Sequence, residues 1–183
     1  PTRRSSDLHR IAQYADAIAH VMNILTNRRE ILRYAALLHD YGKIAIREAI
    51  LTKRGRLTVR EYSHIQEHPA YTRSILEKIN FSNDYKSIPI IAAAHHEKID
   101  GTGYPNGLSG NDIPLESRIL AVADVFDALT SKRHYRDRME FDKVIDILDR
   151  DTGTHFDEIC VKAFKKIKLD TLIKILEDGT SDL

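Results

Sequence analysis

The chain has 183 residues, with 28 basic side chains against 27 acidic ones and a single cysteine. That length buries a sizeable core without disulfide help, and Cys160 alone can close no internal bridge and complete no thiolate cluster. This points to a reducing compartment, expected to be the cytoplasm, and away from a zinc-finger scaffold. The balanced charge excludes the global field that draws a protein onto DNA or anionic lipid, and no apolar run approaches a membrane span or a signal peptide, so any anion site must be local.

Pro1-Thr2-Arg3-Arg4-Ser5-Ser6-Asp7-Leu8 is the in-frame translation of a widely used sequencing adapter, CCT ACA CGA CGC TCT TCC GAT CT. Residues 1–8 are therefore expected to be foreign, and the native domain to occupy residues 9–183, shortened at its N-terminal end. From Arg10 onward the apolar spacing is helical and no stretch alternates as a half-buried strand does, so the expected fold is all-α. Ile11, Tyr14, Ala15, Ile18, Val21, Met22 and Leu25 form one stripe; Ile31, Leu32, Tyr34, Ala35, Leu37 and Leu38 form the next, with Gly42 stopping that helix soon after His39 and Asp40. Thr58 and Glu61 spell a capping box for a helix running to His68, where Pro69 interrupts it or starts a new turn. A helix through Ile75 and Ile79 follows, then a short, almost wholly buried one over residues 88–97 whose end presents His95 and His96. Glycines and prolines crowd residues 100–110 into a loop. The long apolar run 115–129 carries Asp124 and Asp127, and three amphipathic segments start from Phe141, Asp157 and Leu169.

Six residues carry the chemistry: His39, Asp40, His68, His95, His96 and Asp124. Imidazole and carboxylate hold borderline-hard divalent metals such as iron, manganese or zinc, and six ligands suffice for two ions if one carboxylate bridges. Adjacent residues on a continuing helix point about a hundred degrees apart, which suits Asp40 to reach between two ions. Asp124 lies inside Ile119-Leu120-Ala121-Val122-Ala123, where a charge is costly unless neutralised. A metal would neutralise it; a salt bridge to Arg118 is the alternative.

The order of these residues resembles a known family. His39-Asp40-Tyr41-Gly42-Lys43-Ile44 is similar to the HD-x-GK signature of the HD superfamily of metal-dependent phosphohydrolases. His95-His96-Glu97 followed by Asp100-Gly101-Thr102-Gly103-Tyr104-Pro105 resembles the motif of its HD-GYP branch, the cyclic di-GMP phosphodiesterases. The likeness continues through Ile113-Pro114-Leu115-Glu116-Ser117-Arg118-Ile119, Asp124-Val125-Phe126-Asp127-Ala128-Leu129-Thr130-Ser131 and Gly153-Thr154-His155-Phe156-Asp157. It implies an HD-superfamily helical bundle with the glycine-rich GYP loop between helices. It further implies two divalent ions, iron or manganese: the first on His39, Asp40 and Asp124, the second on His68, His95 and His96, with Asp40 bridging.

The implied reaction opens cyclic di-GMP to linear pGpG, and in some members on to GMP, by a metal-bridged hydroxide attacking phosphorus. Asp40 and Lys43 are the implied catalytic residues, Lys43 holding a phosphate oxygen unless it is a plain surface lysine. Arg133 and Arg136 fall where the family places phosphate-contacting residues. Gly103, Tyr104, Pro105 and Asp127 complete the implied substrate contacts. Tyr104 offers either a stacking face for guanine or a contact for a partner protein; Asp127 either orients groups behind the ligands or pairs with an arginine. An upstream sensor or receiver domain is the family's usual companion. Two other readings stand beside this one: a phosphohydrolase acting on another nucleotide, and a non-catalytic signalling module that binds nucleotide.

The departures are local. Where the family has a histidine three residues before the arginine matched by Arg10, and a glutamate four before that, this chain has Asp7 and Arg3. The first ion would then lack one imidazole and a third ion its main ligands, so a third ion belongs only to an untruncated parent and this chain's activity would be impaired. Tyr41 replaces a smaller apolar residue and His134 a proline. His9, His20, His64 and His155 lack partners at metal-ligand spacing and are expected to be surface or capping residues.

Overall fold

In the computed structural model, residues 5–131 and 139–178 are described. Helix is the dominant element among them and no β-strand occurs, only an isolated bridge between Thr152 and Phe156. In chain order the helices are α1 (Ser5–Val21), α2 (Thr26–Leu38), α3 (Glu48–Leu51), α4 (Val59–Ile65), α5 (His68–Leu76), α6 (Ile88–Ala93), α7 (Leu115–Thr130), α8 (Phe141–Arg150), α9 (Glu158–Lys165) and α10 (Leu169–Asp178). Short 3-10 turns cover Tyr41–Ala45, Asn83–Tyr85 and Gly110–Asp112.

The stripe on α1 is real and buried: Ile11, Tyr14, Ala15 and Ile18 are all at 0% exposure. It packs against α2, α7, α9 and α10, and Tyr14 meets Phe126 of α7 edge to face with ring centroids 5.0 Å apart. Phe126 in turn contacts Phe164 of α9 at 4.7 Å. These aromatic contacts centre the main core, to which Leu32, Ile119, Leu120, Val144 and Leu148 contribute. α7 is buried on nearly every side, which is why its sequence reads as an apolar run rather than a stripe. A smaller cluster, Ala35, Leu76, Ile88, Ile91 and Ala92, joins α2, α5 and α6, and the Ser117 hydroxyl on α7 donates to the Ile91 carbonyl at 2.9 Å to lock the two clusters together.

Several boundaries differ from the expectations. α1 ends at Val21, so Met22 falls in a turn with Asn23, whose φ is +55°, and Leu25 precedes α2 as its N-cap residue. α2 stops at Leu38, before His39 and Asp40 rather than after them, and Gly42 sits inside the 3-10 turn. Gly42 is there for close packing: a Cβ on it would lie 2.0 Å from the His68 carbonyl oxygen and 2.4 Å from the Thr72 amide nitrogen. The capping box of Thr58 and Glu61 is present, with the Glu61 amide donating to the Thr58 hydroxyl and the Thr58 amide to the Glu61 carboxylate. Its helix closes at Ile65, and Pro69 stands in the first turn of a new one, where its missing N–H costs nothing. α5 ends at Leu76, leaving Ile79 at 49% exposure. α6 ends at Ala93, so His95 and His96 follow the helix instead of riding on it. The three C-terminal segments begin where the patterning puts them, Asp157 capping α9 by accepting from the amides of Ile159 and Cys160.

Candidate metal centre

The candidate ligands come from the ends of three helices and the middle of a fourth. His39 and Asp40 follow α2, His68 opens α5, His95 and His96 follow α6, and Asp124 projects from within α7. His39, His68 and His95 are each exposed by 2% or less, so their orientation is set by their partners inside the protein. In all three the Nδ1 atom faces the carbonyl three residues earlier: Ala36 at 2.6 Å, Ile65 at 2.7 Å and Ala92 at 2.7 Å. A carbonyl can only accept, so Nδ1 carries the proton and Nε2 is left with its lone pair, the tautomer that binds a metal.

The Nε2 atoms converge on Asp40. Its Oδ1 lies 3.3 Å from His68 Nε2 and 4.0 Å from His95 Nε2, while Oδ2 lies 3.5 Å from His39 Nε2. His39 Nε2 is also 3.9 Å from Asp124 Oδ1. His68 Nε2 and His95 Nε2 are fully buried and no hydrogen bond within the protein satisfies them. Buried lone pairs aimed at a shared carboxylate, without a proton between them, fit a divalent ion. Two trios bring ligand atoms within 4.8 Å of one another: His68, His95 and His96, and His39, Asp40 and His95. His95 thus belongs to both, where the family-based division gave it to the second ion alone. The rings crowd together, His95 and His96 tilted with centroids 3.9 Å apart and His39 and His95 edge to face at 4.7 Å.

Burial keeps His95 and His96 neutral. Desolvation, reinforced by the neighbouring His96 and His39, holds His95 well below the ordinary histidine range, and desolvation drives His96 down to about 3. Neutral imidazole is the ligating form, so His95 and His96 are ready for a cation at neutral pH.

The remaining sequence candidates divide. The Lys43 ammonium reaches Asp40 Oδ2 at 2.7 Å, with its side chain 33% exposed at the mouth of the cluster. Tyr104 lies over His96, ring centroids 4.8 Å apart and planes at 31°, and burial pushes its hydroxyl pKa up. Gly103 lets the loop press onto the histidine turn: a Cβ would stand 2.4 to 2.6 Å from backbone atoms of Glu97, Lys98 and His96. Pro105 follows Tyr104 through a cis peptide. Asp127, offered among the substrate contacts, is instead directed at α1, where Arg10 Nε donates to its Oδ1 at 2.8 Å and both groups are buried. Arg10 also bonds Ser131 and Asp7. Asp124 is not held by Arg118, which pairs with Asp157 at 2.7 Å. Arg133, Arg136 and His134 lie outside the described residues. Outside the cluster, His20 faces Arg29, His64 faces Glu67 and His155 faces Lys98.

Two supporting residues had no role assigned by sequence. Glu97, 4% exposed, accepts from the amides of Asn106 at 2.8 Å and Leu108 at 2.9 Å and so ties the GYP loop to the histidine turn. Thr72, fully buried on α5, bonds both sides of the Asp40 segment. Glu97 was visible as the neighbour of two histidines. Thr72 had only its spacing, four residues after His68 on one helix face, as a signal.

The chain is similar to known proteins along most of its length. A family model described as HD domain matches residues 1–159. The chain is 45% identical over 157 residues to 3'3'-cGAMP-specific phosphodiesterase 3 of Vibrio cholerae, covering 86% of this chain and 34% of that protein. It is 41% identical over 160 residues to the cyclic di-GMP phosphodiesterase response regulator RpfG of Xanthomonas campestris pv. campestris, covering 87% and 42% respectively. The chain therefore spans about a third to two fifths of the length of these relatives. Among solved structures, Bd1817, an HDG"Y"P protein from Bdellovibrio bacteriovorus, superposes with a TM-score of 0.70 at 19% identity, over 86% of this chain and 50% of that one, a likeness of fold.

Proposed function

Because the chain belongs to the HD domain family, in its HD-GYP branch, we propose that its centre holds two divalent ions, iron or manganese, and hydrolyses a phosphodiester of cyclic di-GMP. The observation that carries this reading is the Asp40 carboxylate, which turns one oxygen to His68 and His95 and the other to His39. That is the geometry a bridging ligand needs. His39, Asp40 and Asp124 would serve one ion and His68, His95 and His96 the other, with His95 Nε2 close to both sets. When bound, such a pair supplies a water of lowered pKa and offsets the charge on the phosphoryl oxygens.

The chain's own residues do the rest. The carbonyls of Ala36, Ile65 and Ala92 fix three imidazoles in the ligating tautomer. Lys43, partly exposed beside Asp40, offers an ammonium to a phosphate oxygen arriving at the centre. Tyr104 lies over His96, and its aromatic ring offers a surface on which a purine can stack. Asp127 and Arg10 pin α7 to α1 and thereby fix the depth at which Asp124 enters the centre. The GYP loop doubles as the surface for a protein partner. A signal-receiving companion domain finds support in the Xanthomonas relative, which is named a response regulator.

A second substrate, 3'3'-cGAMP, is favoured by the Vibrio relative at 45% identity, which is named as specific for it. Both substrates contain 3'-5' phosphodiesters between purine nucleosides, so the centre's chemistry is common and only base recognition differs. Purified protein loaded with Mn2+ or Fe2+ is incubated with each cyclic dinucleotide and the linear and mononucleotide products are resolved by chromatography. Faster turnover of cyclic di-GMP supports the first reading and faster turnover of 3'3'-cGAMP the second. Binding without turnover of either, with two ions in place, would reduce the domain to a nucleotide-binding module.

A further inference from the structure

We infer that Thr72 is the positioning residue that sets the bridging geometry of Asp40, by a single buried hydroxyl that closes α2 and opens the 3-10 turn behind it. The inference rests on the two-ion reading above. Thr72 Oγ1 donates to the His39 carbonyl at 2.9 Å and accepts from the Gly42 amide at 2.8 Å. Those two groups flank Asp40. The first is one of the terminal carbonyls that a helix leaves without an internal partner, and the second is an amide at the start of the next turn, equally short of one. One hydroxyl satisfies both at 0% exposure, so the backbone between them is held from both ends.

The consequence falls on Asp40. Its φ of −96° and ψ of 5° are neither helical nor extended and place it at the corner between α2 and the 3-10 turn. From that corner its two oxygens face different histidines. Thr72 lies four residues after His68 on the same helix, so its hydroxyl and the His68 imidazole move as one body. The clamp therefore fixes the distance between the His39 side of the centre and the His68 side. Gly42 makes the approach possible, since any Cβ there would collide with the backbone of His68 and Thr72. Neither Thr72 nor Gly42 faces a ligand atom of a metal. Their effect passes through Asp40.

The test uses Thr72→Val, which keeps shape and removes both hydrogen bonds, and Thr72→Ser, which keeps the hydroxyl and removes a methyl. Mn2+ is titrated into each metal-free protein by calorimetry, and the loaded proteins are examined by electron paramagnetic resonance. Wild type is expected to take up two ions with a spin-coupled signal. Thr72→Val should bind its second ion about 10- to 100-fold more weakly, the usual loss when a group orienting a metal ligand is removed, and should show the six-line signal of isolated ions. Thr72→Ser should restore both affinity and coupling, which a mere packing role would not do. Where circular dichroism shows Thr72→Val unfolded, Thr72→Cys, of similar size with only a weak donor, is read in its place. Wild-type stoichiometry and coupling in the folded Val or Cys variant overturn the inference while leaving the two-ion reading intact. Failure of the wild-type chain to bind two ions sinks that reading and the inference with it.

Discussion

The main core and the metal centre are built on opposite principles. Around Phe126 the structure uses helix interiors: α1, α7 and α9 bring apolar faces together, and the aromatic contacts of Tyr14, Phe126 and Phe164 are made by residues at helical spacing. Around Asp40 it uses helix ends. His39, His68, His95 and His96 stand at or just beyond a terminus, where the chain leaves regular geometry and backbone carbonyls are free to orient imidazoles. Packing holds the first region and directed hydrogen bonds hold the second. Asp124 alone belongs to both, a ligand candidate carried on the most buried helix, which is how the core fixes one wall of the centre. A large loss of function without a loss of fold should thus come from the helix ends, and the reverse from the interiors.

The sharpest break is expected from Asp40→Asn. The amide keeps size but cannot offer two anionic oxygens, so metal affinity and turnover should fall by more than about 100-fold, beyond what outer hydrogen bonds to ligands contribute. Helix content and the urea midpoint should stay near wild type, because the core is untouched. Unchanged metal uptake by calorimetry would dismantle the assignment of the bridging role.

Asp127→Ala should do the opposite. It removes the buried carboxylate that faces the Arg10 guanidinium, which keeps only Asp7 and Ser131 among its named partners, and is expected to cost about 3 kcal/mol, the lower end for breaking a buried pair, read from urea unfolding, whereas the double change Arg10→Met with Asp127→Leu should recover most of that loss. If Asp127→Ala instead leaves stability alone and alters only KM, Asp127 belongs with the substrate contacts after all.

This contrast also explains what could be read from the sequence. The α1 stripe, the buried α7 and the three C-terminal helices follow from hydrophobic period, which depends on many residues and tolerates local exceptions. The capping box at Thr58 was equally legible, since its two hydrogen bonds are made within four residues. Helix ends near the centre were not. α2 and α6 stop one or two residues before the histidines because the stop is imposed from elsewhere: by Thr72 and Gly42 across the α2–α5 contact, and by the GYP loop folded onto Glu97. The six candidate ligands were visible as residue types, and the structure brings them together. The allocation of His95 between two trios, and the turn of Asp127 toward Arg10, depend on three-dimensional distances that spacing does not contain.

A smaller effect is expected from Glu97→Gln, which tests whether the GYP loop belongs to the centre or to the scaffold. The amide nitrogen cannot accept, so one of the two loop amides loses a charge-assisted partner worth about 1.5–3 kcal/mol. If the loop positions Tyr104 for substrate, kcat/KM should fall about tenfold, roughly the equivalent of 1.4 kcal/mol, mostly through KM, with two ions still bound. A loss of metal with unchanged KM would show that Glu97 supports His96 instead.

The gentlest probe is pH, applied to the metal-free protein. The His96 pKa is near 3 and that of His95 is also far below its value in an unfolded chain, about 6.5, because the folded protein desolvates both. Between those limits the unfolded state binds more protons than the folded one, so lowering the pH favours unfolding. Stability contributed by these two groups is therefore complete above about pH 6.5 and flat from there to pH 8, then declines as the pH falls toward 3. Their replacement by Gln in a double variant should flatten that decline in urea titrations between pH 6.5 and 4, while leaving the pH 8 value of the core nearly unchanged. An acid limb that persists undiminished would shift the cause to other titrating groups, and His95 and His96 would lose their claim to be the acid-sensitive part of the fold.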